Sequence, residues 1–291
     1  MQYRNIVFSG GAFKSTAFIG CIKYLEEQDL SKDIINIIGS SAGAIAGLLF
    51  TLGYSSSEMR DFAIKELTEF KNRDVDIESL FNIFYTLGID DGEEHIKVFR
   101  RALTMKGLAS NATFLDIAKH TGKNYVVCGS NLTTAKVEYF SVDTTPDMEI
   151  ALAVRISTAV PFLITPVFHK GQVYVDASLF NNFPTEYFCM PMRPFTDTIA
   201  LTVHESIEKT KNAESELDLL SYTRLMLMAA FVRINTKDSL IESSATNKII
   251  DIIVDTDAFD VETFKLRADI KDIDSNIDIG YKSVLEALKQ P

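Results

Sequence analysis

The chain reads as an α/β protein, and three observations predict that class. Apolar runs of strand length alternate with stretches whose apolar residues recur every three to four positions. Two Gly-rich turns each join such a run to a helical stretch. The composition, 46% apolar and 24% charged over 291 residues, is that of a globular chain with ample length for a core.

The elements follow in order. Residues 5–8 form a short buried strand running into Ser9-Gly10-Gly11. A helix covers residues 15–27, with Phe18, Ile19, Ile22 and Leu25 on one side. Residues 33–38 are a second strand, ended by Gly39, and a second helix runs from Ser41 to Leu52 and stops at Gly53. The more polar stretch 55–115 reads as helices covering the sheet or the mouth of a site, with starts at 55–58 and 90–94. Strands resume at 124–128 and 136–140, then at 172–175 and 198–203. The tail beyond residue 214 reads as mostly helical, with a strand at 248–254, and the apolar stretch 219–232 as a buried or interfacial helix. With no internal repeat and no linker, the expectation is a single domain over 1–291, its motifs within 4–205 and a helical part over 206–291.

Charge narrows the function. There are 29 Lys and Arg against 40 Asp and Glu, a net charge of −11, which argues against a nucleic-acid partner and against docking on anionic membranes by charge alone. Cys21, Cys128 and Cys189 are too few and too scattered for a disulfide framework or a cysteine-based zinc site. The start of the chain lacks a signal-peptide pattern, and no run reaches the roughly 18 apolar residues of a membrane span. The expectation is a cytoplasmic protein; peripheral membrane contact and a homo-oligomer are both compatible with it.

The sharpest local feature is Gly39-Ser40-Ser41-Ala42-Gly43, a G-x-S-x-G between an apolar strand and a helix. A strand-to-helix turn this tight crowds the backbone two residues before and two after the serine, so only very small residues fit there. It raises the Ser41 hydroxyl above the sheet and sets it at a helix start, where free N–H groups favour a developing anion. Ser9-Gly10-Gly11-Ala12-Phe13-Lys14 is a second strand-to-helix turn able to present N–H groups to an oxyanion or a phosphate; it matches neither a Walker loop nor a dinucleotide fingerprint. Asp176 ends an apolar strand, where it either serves a site or caps the next turn. A serine nucleophile needs a proton acceptor. Of the four histidines, His204 at a strand end is the one that suits a Ser41–Asp176–His204 triad; the alternative is a dyad in which Asp176 contacts Ser41 directly.

Together, in this order and context, the three motifs resemble the patatin-like phospholipase family: a Gly-rich loop with a basic residue, then G-x-S-x-G, then Asp-Gly far downstream. Residues 153–161 and Asn181-Asn182-Phe183-Pro184 resemble the segments before and after that Asp. The resemblance covers residues 4 to about 205. It implies a three-layer α/β/α fold with a mainly parallel central sheet, and an acyl hydrolase acting on glycerolipid or other fatty-acyl esters without metal or organic cofactor. Ser41 would be the nucleophile and Asp176 its base. Gly10, Gly11 and Ala12 would supply the oxyanion hole with help from Ala42, and Lys14 would support the loop or greet a headgroup. Gly39 and Gly43 would form the elbow. Ala12, Ser15 and Ala177 stand where the family usually has glycine. A positive φ at Ala12 would cost on the order of 1 kcal/mol, and one at Ala177 would displace the Asp176 carboxylate. The competing reading is a relative that binds lipid without turnover.

Overall fold

The computed structural model describes residues 2–71, 85–189, 197–205, 247–254, 259–260, 265–266 and 268–289. The expected helix over 219–232 lies outside them.

The centre is a mainly parallel sheet. Strand β1 (Asn5–Phe8) lies between β2 (Asn36–Gly39) and β9 (Thr198–Glu205), with β10 (Asn247–Val254) beyond β9 and β4 (Asn124–Asn131) beyond β2, all parallel. Central parallel strands are buried on both faces and call for apolar residues, which β1 supplies from Ile6 to Phe8, while the buried Asn5 side chain donates to Thr198 Oγ1 at 3.0 Å and accepts from Asn36 at 2.8 Å. Its Ile6 and Phe8 enter the large core with the helices, while Val7 enters a second cluster with Ile38, Val126, Ala200, Tyr187 and Phe188. Each fully buried large side chain contributes about 1.5–3 kcal/mol relative to exposure.

Three of the helices that pack into the main core are α1 (Ala17–Glu27), α2 (Ala42–Thr51) and, further along the chain, α7 (Ile270–Lys289). A 3-10 turn over Ala12–Thr16 precedes α1, so the expected first helix begins two residues late as α-helix. Helices α1 and α7 touch through glycines. A Cβ on Gly20 would lie 1.8 Å from the carbonyl oxygen of Ile277, and one on Gly280 would lie 1.9 Å from that of Ala17. Helix α2 ends where expected, at Gly53 with φ 74°.

The polar stretch after α2 contains α3 (Ser56–Lys71), α4 (Glu93–Met105) and α5 (Phe114–Thr121), with a three-residue strand β3 (Gly88–Asp90) that the sequence pattern does not reveal. Strand β3 pairs with β6 (Phe162–Ile164), which follows α6 (Ile150–Ser157). The remaining strands, β5 (Lys136–Phe140), β7 (Val167–His169) and β8 (Gln172–Val175), are antiparallel to their partners.

Asp176 follows an apolar strand, as expected, and that strand, β8, runs antiparallel to its neighbours β4 and β7. Strand β4 is long: residues 124–127 pair with β2, and β5 occupies its other edge over 127–131. Strand β8 therefore takes the same edge as β2, at Ser130 and Asn131, running the opposite way. Strands β2 and β8 thus approach each other head to head, and the residues just past each end, Ser41 and Asp176, meet in the gap. The overall class is as expected: α/β, with a mainly parallel sheet flanked by helices.

Candidate active site

Ser41 sits on the turn between β2 and α2 with φ 52° and ψ −126°, outside the regions an L residue prefers. The flanking glycines explain how the turn closes. A Cβ on Gly39 would lie 2.3 Å from the carbonyl oxygen of Gly43, and one on Gly43 would lie 2.4 Å from that of Ser9. No larger residue fits at either position, as the elbow reading requires.

The Ser41 hydroxyl donates to Oδ2 of Asp176 at 2.6 Å. The other carboxylate oxygen, Oδ1, accepts the N–H of Ser178 at 2.8 Å and caps the 3-10 turn Ala177–Leu179. One carboxylate oxygen thus caps the next turn, one of the two roles weighed for Asp176, and the other contacts Ser41. Asp176 is 1% exposed, and burial pushes its carboxyl from 3.8 up to about 6, against the opposing pull of hydrogen bonds from Ser41 and Ser178. Ala177 is absent from the residues with positive φ, so an alanine after Asp176 leaves the carboxylate in place. Ser130, at the far end of β4, holds that turn by donating to the Ala177 carbonyl and accepting the N–H of Phe180, both at 3.2 Å.

His204 is not part of this arrangement. Nothing stands between Ser41 and Asp176, and the His204 Nε2 lies 3.4 Å from Asp251 on the exposed edge of β9 and β10. The triad is corrected to a direct serine–aspartate contact.

The Gly-rich loop is corrected in one member. The N–H of Gly10 donates to the Asn182 carbonyl at 2.9 Å, so it is spent on joining two loops and does not face a substrate. Gly10 is needed for space: a Cβ there would meet Asn182 Oδ1 at 2.3 Å and Ser178 Oγ at 2.4 Å. The N–H groups of Gly11, Ala12 and Ala42 take no partner among the described residues, whereas those of Gly43 and Ala44 close the first turn onto Ser40 and Ser41. Ala12 has φ 46°, the strained value a glycine would hold more cheaply. Lys14 lies half-buried in the 3-10 turn, with its N–H on the Gly11 carbonyl at 3.1 Å.

Two further bonds lock the motifs together. Ser40 Oγ donates to the Asn181 carbonyl at 2.9 Å, and the Cys128 thiol donates to that of Gly39 at 3.2 Å. Cys128 is fully buried, which pushes its thiol up and keeps it neutral, in keeping with a small core residue.

Ser41, Ala12 and Ala42 border a cavity of about 410 Å³. Its wall follows α2 through Ile45, Ala46 and Leu49, and is completed by Phe13 and Ile19, by Met59, Phe62 and Ala63 of α3, by Val98 and Phe99 of α4, and by Val160 and Ile164. The helices over 55–115 do cover a site, as expected, though the sequence left open which residues face it. Glu66 and His95 are the ionisable residues of this lining, and sequence reasoning missed both. Glu66 is paired with Arg101, which ties α3 to α4, and burial nonetheless pushes its carboxyl upward.

Comparison with known proteins places the chain in a family. The family model described as patatin-like phospholipase matches residues 6–189. The chain is 28% identical over 187 residues to the probable lipid hydrolase 463L of Invertebrate iridescent virus 6, covering 63% of this chain and 62% of that one. It is 27% identical over 235 residues to YqhO of Bacillus subtilis, covering 75% of this chain and 78% of YqhO. The match thus spans less than two thirds of the viral relative. Among solved structures, VipD from Legionella pneumophila superposes with a TM-score of 0.58 at 16% identity, over 99% of this chain and 67% of VipD, a likeness of fold.

Proposed function

Since the chain belongs to the patatin-like phospholipase family, we propose that it hydrolyses glycerolipid acyl esters through an acyl-enzyme on Ser41, with Asp176 as general base. The observation that carries this reading is the 2.6 Å contact between the Ser41 hydroxyl and a buried carboxylate at the edge of an apolar cavity.

The chemistry follows from those atoms. Ser41 Oγ attacks the ester carbonyl carbon and its proton passes to Oδ2 of Asp176. The carbonyl π pair becomes an oxyanion, which the N–H groups of Gly11, Ala12 and Ala42 are placed to receive; one such donor is worth roughly 3 kcal/mol of barrier. The C–O bond to the alcohol then breaks, the alcohol oxygen takes the proton from Asp176, and the acyl group stays on Ser41. Water, giving one proton to Asp176, attacks the acyl carbon; the ester bond to Ser41 Oγ then breaks, that oxygen takes the proton back from Asp176, and the fatty acid leaves. One acyl chain lies along α2 in the cavity, whose side chains offer almost no polar partner and favour an alkyl tail over a hydrophilic group. Substrate in a lipid surface would bring the protein to membranes peripherally; among the described residues no helix is long and apolar enough to cross one.

The test is hydrolysis of a phosphatidylcholine dispersion and of p-nitrophenyl esters. Ser41→Ala and Asp176→Asn should each lower turnover on the order of 10⁴-fold or more, and His204→Ala should leave it within about twofold. Turnover that survives Ser41→Ala, or that is lost with His204, contradicts the reading.

A further inference from the structure

The strained turn at Ser41 and the start of the Asp176 turn are held by one short segment. Ser157, the last residue of α6, accepts the N–H of Ser41 on its Oγ at 3.0 Å. Two residues on, the Ala159 carbonyl accepts the N–H of Asp176 at 2.8 Å. The segment is rigidly tied to α6: Thr158 donates both its N–H and its hydroxyl to the Val154 carbonyl, at 3.0 and 2.9 Å, and the Ala159 N–H returns to Ile156 at 3.2 Å. Ser157 is wholly buried and does not touch the cavity. The main chains of nucleophile and base, 135 residues apart in sequence, are thus referenced to three consecutive residues.

We propose that Ser157 is a positioning residue for the reaction: by taking the Ser41 N–H it fixes the elbow in the conformation that aims the Ser41 hydroxyl at Asp176. The bond also removes the Ser41 N–H from the donors available to an oxyanion and leaves that task to the neighbouring groups. The proposal rests on the hydrolase reading above. A purely structural role, satisfying one buried N–H, would lower stability without changing how Asp176 titrates. A positioning role changes both rate and titration, because the hydroxyl that drifts from Asp176 is one of the donors that hold its carboxyl down.

The experiment measures fluorophosphonate labelling rates and p-nitrophenyl ester kinetics from pH 5 to 9 for the full chain, Ser157→Ala and Ser157→Cys, with thermal unfolding alongside. For Ser157→Ala, kcat and the labelling rate should fall about 10- to 100-fold, the loss expected for a misplacement near 1 Å, with KM within about twofold. The acid limb of the profile should move to higher pH. Ser157→Cys, which keeps a weak acceptor, should lie between. Wild-type kcat and an unmoved acid limb in Ser157→Ala overturn the proposal, as does a lowered melting temperature with the limb unmoved. If the wild type itself takes no label, the hydrolase reading falls first, an outcome distinct from a labelled wild type matched by Ser157→Ala.

Discussion

Asp176 is buried, so its ionised form has lost the solvation that water would give it. Its carboxyl is lifted to about 6, so in the folded chain it holds its proton over a pH range in which the unfolded chain has lost it. The sign follows: this group favours folding most below pH 4, and its contribution is lost as pH rises through 6. Ionised, it costs about 3 kcal/mol near pH 8, the difference between about 6 and 3.8 in free-energy terms. Asp176→Asn should therefore raise the melting temperature at pH 8 and gain little at pH 4, while the wild-type activity falls as pH drops through about 6; chemical denaturation at the two pH values and a pH–rate profile check both. At Ala12, whose φ is 46°, glycine relieves backbone strain at the cost of a more disordered unfolded state. Ala12→Gly should stabilise by up to about 1 kcal/mol, read from denaturant midpoints, with labelling of Ser41 retained. At this scale the sequence is legible where geometry forces the residue type. The elbow glycines are such residues, since backbone sits within 2.5 Å of the missing Cβ of each. It is less legible at Gly10, where glycine signals room for Ser178 and Asn182, with its N–H already committed.

At the scale of elements, the contact between α1 and α7 depends on two glycines that meet backbone. Gly20→Ala or Gly280→Ala must push the helices apart, which should destabilise by about 1–3 kcal/mol and lower the melting temperature without abolishing Ser41 labelling. The parallel strands β1, β2, β9 and β10 and the helices α1 and α2 are readable from apolar patterning, because each buries a continuous face. Strands β3 and β6 are three residues each, too short for a period to register. The antiparallel descent of β8 is unreadable for a different reason: a run such as 172–175 carries no mark of direction, which here is set by the hairpin turn at Lys170 and Gly171 and by the overshoot of β4.

At the scale of the whole molecule, a hydroxyl–carboxylate pair opens onto a mostly apolar cavity built by four successive helical segments and closed by residues 158–164. That convergence is a property of packing, and no local pattern in residues 55–115 separates the cavity face of α3 or α4 from the face on the core. Ala46 lies on the cavity wall, so Ala46→Phe should block a long chain and spare a short one: kcat/KM for a palmitoyl ester should fall by about tenfold or more while that for a butyryl ester changes little. The net charge of −11 remains a constraint on how such a molecule meets lipid, since it disfavours anionic surfaces.

The most direct test of the central claim is the intact mass of the purified chain after reaction with a fluorophosphonate, beside Ser41→Ala and Asp176→Asn. The account predicts one adduct per wild-type chain, none on Ser41→Ala, and labelling of Asp176→Asn slowed to near the background rate. A wild-type chain that stays unlabelled, or an adduct that persists in Ser41→Ala, would contradict it.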